Sequence, residues 1–175
     1  MLLTNKSVSV RLFNEDDITN KIHWINNSEN NEFLHYDIPL TYEKTLLWYQ
    51  NKDNDSRIDC VIEFNGAPVG LIGLLNISTV HRKAEFYICI GDITVKRKGV
   101  ATISTNLILK YAFEKMLLNK VYLNVDSENS AACKLYEKIG FVCEGEFKED
   151  LFHRGKMINR KRYAMLNKEF ITSGI

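Results

Sequence analysis

Tyr136, Glu85 and the basic glycine turn Val95-Lys96-Arg97-Lys98-Gly99-Val100-Ala101 are the parts of this sequence whose types and spacing can do chemistry. The turn opens a long apolar helix. Its amides and the positive end of that helix suit an anion, and Gly99 removes a side chain where phosphate oxygens would approach. Lys96, Arg97 and Lys98 add charge-assisted contacts. The turn lacks the Gly-x-x-x-x-Gly-Lys-Ser/Thr pattern, which argues against nucleotide hydrolysis. Downstream, Asn129-Ser130-Ala131-Ala132 precedes Tyr136, which shares a helix face with Ala132. A neutral phenol at that point can donate a proton at physiological pH. Glu85, before an apolar strand, can serve as a general base acting through water or can pair with Arg82. His81 is a weaker base candidate. No His-Asp pair orients Cys133 as a nucleophile.

The elements that must position these groups follow from periodicity. Val8, Val10 and Leu12 alternate as a first strand. Asn14-Glu15-Asp16-Asp17 starts a helix whose apolar face is Ile18, Ile22 and Ile25. Thr41 caps a second helix, with Leu46, Leu47 and Trp48 expected inward. Residues 58–64, 69–76 and 84–90 read as three strands, the first two joined at Asn65-Gly66. A central helix is expected over about 99–117. A strand at 121–125, a short helix over 129–139 stopped by Gly140, and strands from Phe141 and over 161–166 complete the pattern. The fold class is mixed α/β: an antiparallel meander, then strand-helix-strand-helix-strand. A doubly wound nucleotide fold would put its glycine loop after an early strand.

At 175 residues the chain is most simply one domain, residues 1–175, with one full core. The net charge of +1 supplies no global field toward nucleic acid. The charge is uneven: residues 1–60 carry ten Asp/Glu against six Lys/Arg, a net of −4, leaving +5 for the rest. That split suits a cationic acceptor near the first part and an anionic cofactor near the second. Cys60, Cys89, Cys133 and Cys143 form no close metal-binding pair, so no metal is expected. They read as buried free thiols of a reducing compartment. No signal peptide or apolar run of membrane-spanning length stands out, so a cytoplasmic protein without membrane contact is expected.

Two segments carry a family resemblance. Lys96 to Ala101 resembles the acetyl-coenzyme A pyrophosphate loop Q/R-x-x-G-x-G/A of the GNAT (Gcn5-related) N-acetyltransferase superfamily, with Lys96 replacing the usual Arg or Gln. Asn129 to Phe141 resembles that superfamily's N-x-x-A-x-x-L-Y-x-K-x-G-F segment. The resemblance implies a single acyl-CoA N-acyltransferase fold with a central, mostly antiparallel sheet splayed at the cofactor site. It implies acetyl-CoA bound by Lys96, Arg97, Lys98, Gly99, Val100, Ala101 and Thr102. The pantetheine arm is expected along Ile88 and Ile90, with Asn129, Ala132 and Tyr136 alongside. Asn129 is equally readable as a helix cap. Tyr136 becomes the general acid and Glu85 the base.

The acceptor is expected to be a primary amine, preferably on a small molecule. Trp24, Glu29, Glu32, Tyr36, Asp37 and Glu43 are expected to form its wall, with Asn26 nearby and Glu85 also touching substrate. Carboxylates hold an ammonium group and rings embrace a cation. Residues 80–86 and 152–156 resemble spermidine acetyltransferases, while Trp24-Ile25-Asn26 and Glu85-Phe86-x-x-x-Ile90-Gly91-Asp92 resemble enzymes acting on nucleotide-linked 4-amino sugars. Acetylation of protein N-termini and a noncatalytic acetyl-CoA sensor are the alternatives. A homodimer or larger homo-oligomer is expected.

Overall fold

Eight strands, taken among the described residues, form one mixed sheet in the order β1-β2-β3-β4-β5-β6-β8-β7. The computed structural model describes residues 2–172. The strands are β1 (Leu2–Asn5), β2 (Val8–Leu12), β3 (Ile58–Phe64), β4 (Ala67–Ser78), β5 (Lys83–Ile90), β6 (Lys120–Asp126), β7 (Val142–His153) and β8 (Lys156–Leu166). The helices are α1 (Ile18–Asn26), α2 (Tyr42–Asn51), α3 (Val100–Lys110), α4 (Ser130–Ile139) and α5 (Asn167–Thr172). β1 through β4 pair antiparallel, as do β6 with β8 and β8 with β7. β5 runs parallel to β6 over Lys83–Glu85 and Lys120–Tyr122 only. The ladder ends at Glu85, leaving Phe86 to Ile90 beyond it.

The chain divides into two compact units. The first comprises residues up to Leu75 together with Tyr87–Ile108; the second comprises Asn76–Phe86 and everything from Leu109. In the first, alternation along β2 turns Val8 and Val10 inward. Phe13, Ile18, Trp24, Ile25, Val61 and Leu71 form the core, flanked by half-buried Tyr36, Leu46, Trp48 and Tyr87. Burying each such side chain contributes roughly 1.5–3 kcal/mol. Thr41 Oγ1 accepts from the Lys44 N–H (3.3 Å), capping α2 as its sequence predicts. Asp17 takes a two-pronged hydrogen bond from Arg11 (2.7 and 2.8 Å) and also accepts from the Asn14 N–H (2.9 Å). In the second unit, α4 buries Cys133, Tyr136 and Ile139 at helical spacing, and Gly140 closes it in a left-handed backbone (φ 107°). Phe113 and Phe170 meet with ring centroids 5.3 Å apart.

Several expectations are corrected. The central helix is not continuous to residue 117: α3 ends at Lys110 and Tyr111–Lys115 is π-helical. Its Met116 N–H reaches back five residues to Tyr111 O (3.1 Å). Leu47 does not face inward; it is 61% exposed. The last strand starts at Lys156 rather than 161. Cys143 is exposed, whereas Cys60 and Cys133 are buried; all four thiols are free. Among the described residues no helix is long and apolar enough to cross a membrane.

Candidate active site

The basic turn is built by local hydrogen bonds in the first unit. Asp92 Oδ1 accepts from the Thr94 N–H (2.8 Å) and starts a single 3-10 turn, Ile93–Val95. The Lys98 N–H donates to Val95 O (3.3 Å), and the Ile103 N–H donates to Gly99 O (3.0 Å), the first bond of α3. Arg97 and Gly99 adopt left-handed backbones (φ 65° and 78°). A Cβ on Gly99 would meet only Ile103 Cδ1, at 4.0 Å, so glycine serves the backbone angle there and the outer side stays open. Lys96 through Gly99 are exposed, while Val100 is buried and anchors the first turn. The amides of Val100, Ala101 and Thr102 therefore precede the helix's own ladder and stand beside exposed cations. These residues fit a pyrophosphate. Ser104 and Thr105 hydroxyls are not available to it, since they donate to Val100 O (2.8 Å) and Ala101 O (2.7 Å). Ile88 and Ile90 are half-buried on the last part of β5.

In the second unit, Asn129 Oδ1 accepts from the Ala132 N–H (3.1 Å), so this side chain caps α4. Tyr136, about two turns on, is 7% exposed. Its ring meets Phe86 edge-on (6.4 Å between centroids), Phe141 at 5.9 Å and Tyr163 at 6.2 Å. Burial, reinforced by Cys133, pushes the phenol well above its ordinary pKa. The phenol therefore stays protonated throughout the physiological range.

Glu85 lies half-buried near the start of β5. Asn76 Nδ2 donates to its Oε2 (2.8 Å) and Asn124 Nδ2 donates to its Oε1 (2.9 Å). Both partners are neutral amides, and no ion pair to Glu85 exists among the described residues. The pairing with Arg82 read from the sequence is not formed: Arg82 Nε donates to Leu117 O (2.9 Å). Neither asparagine was singled out in the sequence, where each stands as a lone polar residue inside an apolar strand.

The expected acceptor wall is only partly a surface. Trp24 is 5% exposed and belongs to the first core; a Cβ on Gly91 would fall 2.0 Å from its Cγ. Its ring is held by close packing against the Gly91 backbone. Asn26 is also committed, bridging both backbone groups of Leu40 (2.9 and 2.8 Å). Tyr36 is half-buried, and burial pushes its phenol up to about 12. Glu29, Glu32, Asp37 and Glu43 are exposed. The sequence reading missed Lys21, which is 6% exposed with Nζ 3.1 Å from the Trp48 ring centroid. Desolvation lowers its pKa to about 7.

A carboxylate, a phenol and an anion-binding helix start are each groups that acyl transfer can use. Residues 8–142 match the acetyltransferase (GNAT) domain family, and the chain belongs to that family; it is an acetyltransferase. It is 32% identical over 169 residues to the spermidine N(1)-acetyltransferase of Escherichia coli K12, covering 94% of this chain and 89% of that protein. The crystal structure of the Vibrio cholerae spermidine N-acetyltransferase in complex with CoA and spermine superposes with a TM-score of 0.86 at 28% identity, covering 95% and 99% of the two chains. A dodecameric structure of that Vibrio enzyme superposes at 0.82, with 28% identity and 98% and 100% coverage.

Proposed function

We propose that this protein moves an acetyl group from acetyl-CoA directly to a primary amine of a small polycation, a polyamine of the spermidine class. The observation that carries the reading is Glu85: a half-buried carboxylate whose two oxygens are held by amides and whose charge is left for a ligand. The full-length similarity to spermidine acetyltransferases supports the same acceptor. Exposed Glu29, Glu32, Asp37 and Glu43 supply further negative charge for the rest of a polycation.

An amine must be neutral to attack a thioester carbonyl. Glu85 holds the ammonium group and takes its proton, directly or through water. As the C–N bond forms and the C–S bond breaks, Tyr136 gives its proton to the departing thiolate, and the proton shed by the new amide nitrogen restores the phenol. Lys96, Arg97, Lys98 and the amides from Gly99 to Thr102 hold the pyrophosphate. Residues 1–175 act as one acetyltransferase domain in the cytoplasm, and the chain assembles as a homo-oligomer with a dimer as its smallest unit.

The test is acetyl-CoA turnover measured in parallel against spermidine, spermine, a 4-amino sugar nucleotide and N-terminal peptides, read as thiol release and product mass. Polyamines are expected to give a kcat/KM at least about tenfold above the others. Preference for the sugar or a peptide would replace the acceptor assignment. Coenzyme binding without thiol release for any amine would overturn the catalytic reading.

A further inference from the structure

Glu85 is held by a relay that crosses three strands of the second unit. Glu85 on β5 pairs in register with Tyr122 on β6. Two residues along β6, on the same face by strand alternation, is Asn124, whose direct cross-strand partner is Arg162 on β8. Arg162 Nε donates to Asn124 Oδ1 (3.1 Å), and Asn124 Nδ2 donates to Glu85 Oε1 (2.9 Å). The guanidinium carbon of Arg162 lies 5.0 Å from the Tyr122 ring centroid and 5.1 Å from that of Phe147.

The order of donors matters. An arginine side chain has only donors, so the Asn124 oxygen alone can face it. That fixes the amide orientation and turns its NH2 toward the carboxylate. Without Arg162 the amide can rotate by half a turn and set its oxygen against Glu85, which repels the anion. The second clamp is set by backbone: Asn76 holds a left-handed conformation (φ 49°) inside β4, which aims its side chain across to Glu85. The rings of Tyr122 and Phe147 hold the guanidinium plane in turn.

We infer that Arg162 and Asn124 are positioning residues of the transfer reaction: Arg162, braced by Tyr122 and Phe147, orients Asn124, and Asn124 fixes the Glu85 carboxylate for the incoming ammonium group without neutralising it. A cation placed directly on Glu85 would compete with a cationic acceptor; an amide between the two keeps the cation one residue away. Among the charged and titratable groups around the cluster, exposed Lys83 lies two residues before Glu85 on the same face of β5. The Tyr122 phenol is raised by burial and by Glu85 and stays neutral. Lys120, two residues earlier on β6, is committed to Glu144 (2.6 Å). This inference rests on Glu85 receiving the acceptor amine.

The experiment compares Arg162→Met, Asn124→Asp, Glu85→Gln and, as a control, Arg160→Met, whose native side chain bonds Asp150 (2.6 Å) instead. Each is assayed with spermidine across pH, and thermal unfolding verifies the fold. Arg162→Met keeps the stem between the rings but loses the donor; kcat/KM is expected to fall about 10- to 100-fold with the acetyl-CoA KM unchanged. Asn124→Asp keeps an acceptor for Arg162 but sets a second carboxylate beside Glu85. The two then share a proton, and the acidic limb of the kcat/KM profile moves up by about one unit or more. Arg160→Met leaves both rate and profile as in the native protein. An inactive Glu85→Gln with Arg162→Met within about twofold of native and an unmoved Asn124→Asp profile overturns the relay alone. An active Glu85→Gln overturns the role of Glu85 itself.

Discussion

Asp59 and Glu85 are both strand carboxylates facing polar partners, one in each unit, and they are held in opposite ways. Asp59 is 3% exposed and surrounded by cations: Arg57 donates to it twice (2.8 and 2.7 Å), Tyr87 Oη donates at 2.8 Å, and Lys52 Nζ stands 3.5 Å away. Burial alone would push its pKa up. The hydrogen bonds from Arg57 and Tyr87, with the charges of Arg57 and Lys52, outweigh that and hold it below the ordinary carboxylate range. Its charge is fully answered within the protein. Glu85 receives two amides and no cation. Acidic residues on strands are thus separated by the kind of donor that meets them. A carboxylate closed off by guanidinium and ammonium groups is structural; one fixed by neutral dipoles keeps its attraction for a positively charged ligand.

Exchanging each acid for its amide should break the comparison most visibly. Asp59→Asn leaves Arg57 and Lys52 facing a neutral group in a buried setting, so unfolding free energy should drop by about 3–5 kcal/mol in urea titration. Glu85→Gln should do the reverse. Its unfolding free energy is expected to change by no more than about 1 kcal/mol, while kcat/KM for the amine falls about 100-fold or more. Equal losses of stability in the two variants would erase the distinction. Tyr136→Phe should lower kcat about 100-fold with the coenzyme KM held within about twofold, since only the donated proton is removed. A native rate in that variant would end the general-acid role.

The smallest effect concerns Lys21, the buried amine of the first unit. Its folded pKa of about 7 lies below the unfolded value of 10.5, so the unfolded chain binds more protons between those values. Stability should therefore rise with pH across that interval, by about 2 kcal/mol from pH 7 to pH 9. Above pH 9 two thiols oppose the trend: desolvation raises buried Cys60 to about 12 and half-buried Cys89 to about 11, so the unfolded chain loses their protons first. Lys21→Met should flatten the rise between pH 7 and 9. An unchanged slope in chemical denaturation at both pH values would show that Lys21 keeps its proton against the Trp48 ring.

Local signals in the sequence were legible wherever one turn or one cap decides the backbone. Asn65-Gly66 forms its hairpin with both residues left-handed (φ 53° and 80°), and Gly140 ends α4 where the apolar period stops. The phenol and the basic turn could also be placed on their helices, because spacing alone fixes them. The π-helical stretch over Tyr111–Lys115 was not visible, since a one-residue shift in hydrogen bonding barely disturbs the apolar period. Among asparagines Trp24 looks like a binding surface; its burial, which the sequence does not display, depends on Gly91, more than sixty residues away. The clamp on Glu85 was hidden for the same reason. Asn76, Asn124 and Arg162 are neighbours only once strand register is set, and no local pattern encodes that register.

The division of the chain has a bearing on its synthesis. β4 and β5 both pass from one unit into the other, so the first is interrupted by residues 76–86 and resumes only at Tyr87. A ribosome cannot deliver it finished before Ile108 has emerged, and no single nick in the polypeptide yields both halves intact. Translation pauses or proteolytic cuts before β5 is complete at Ile90 leave β4 without its last neighbour, the kind of unpaired edge on which nascent chains aggregate.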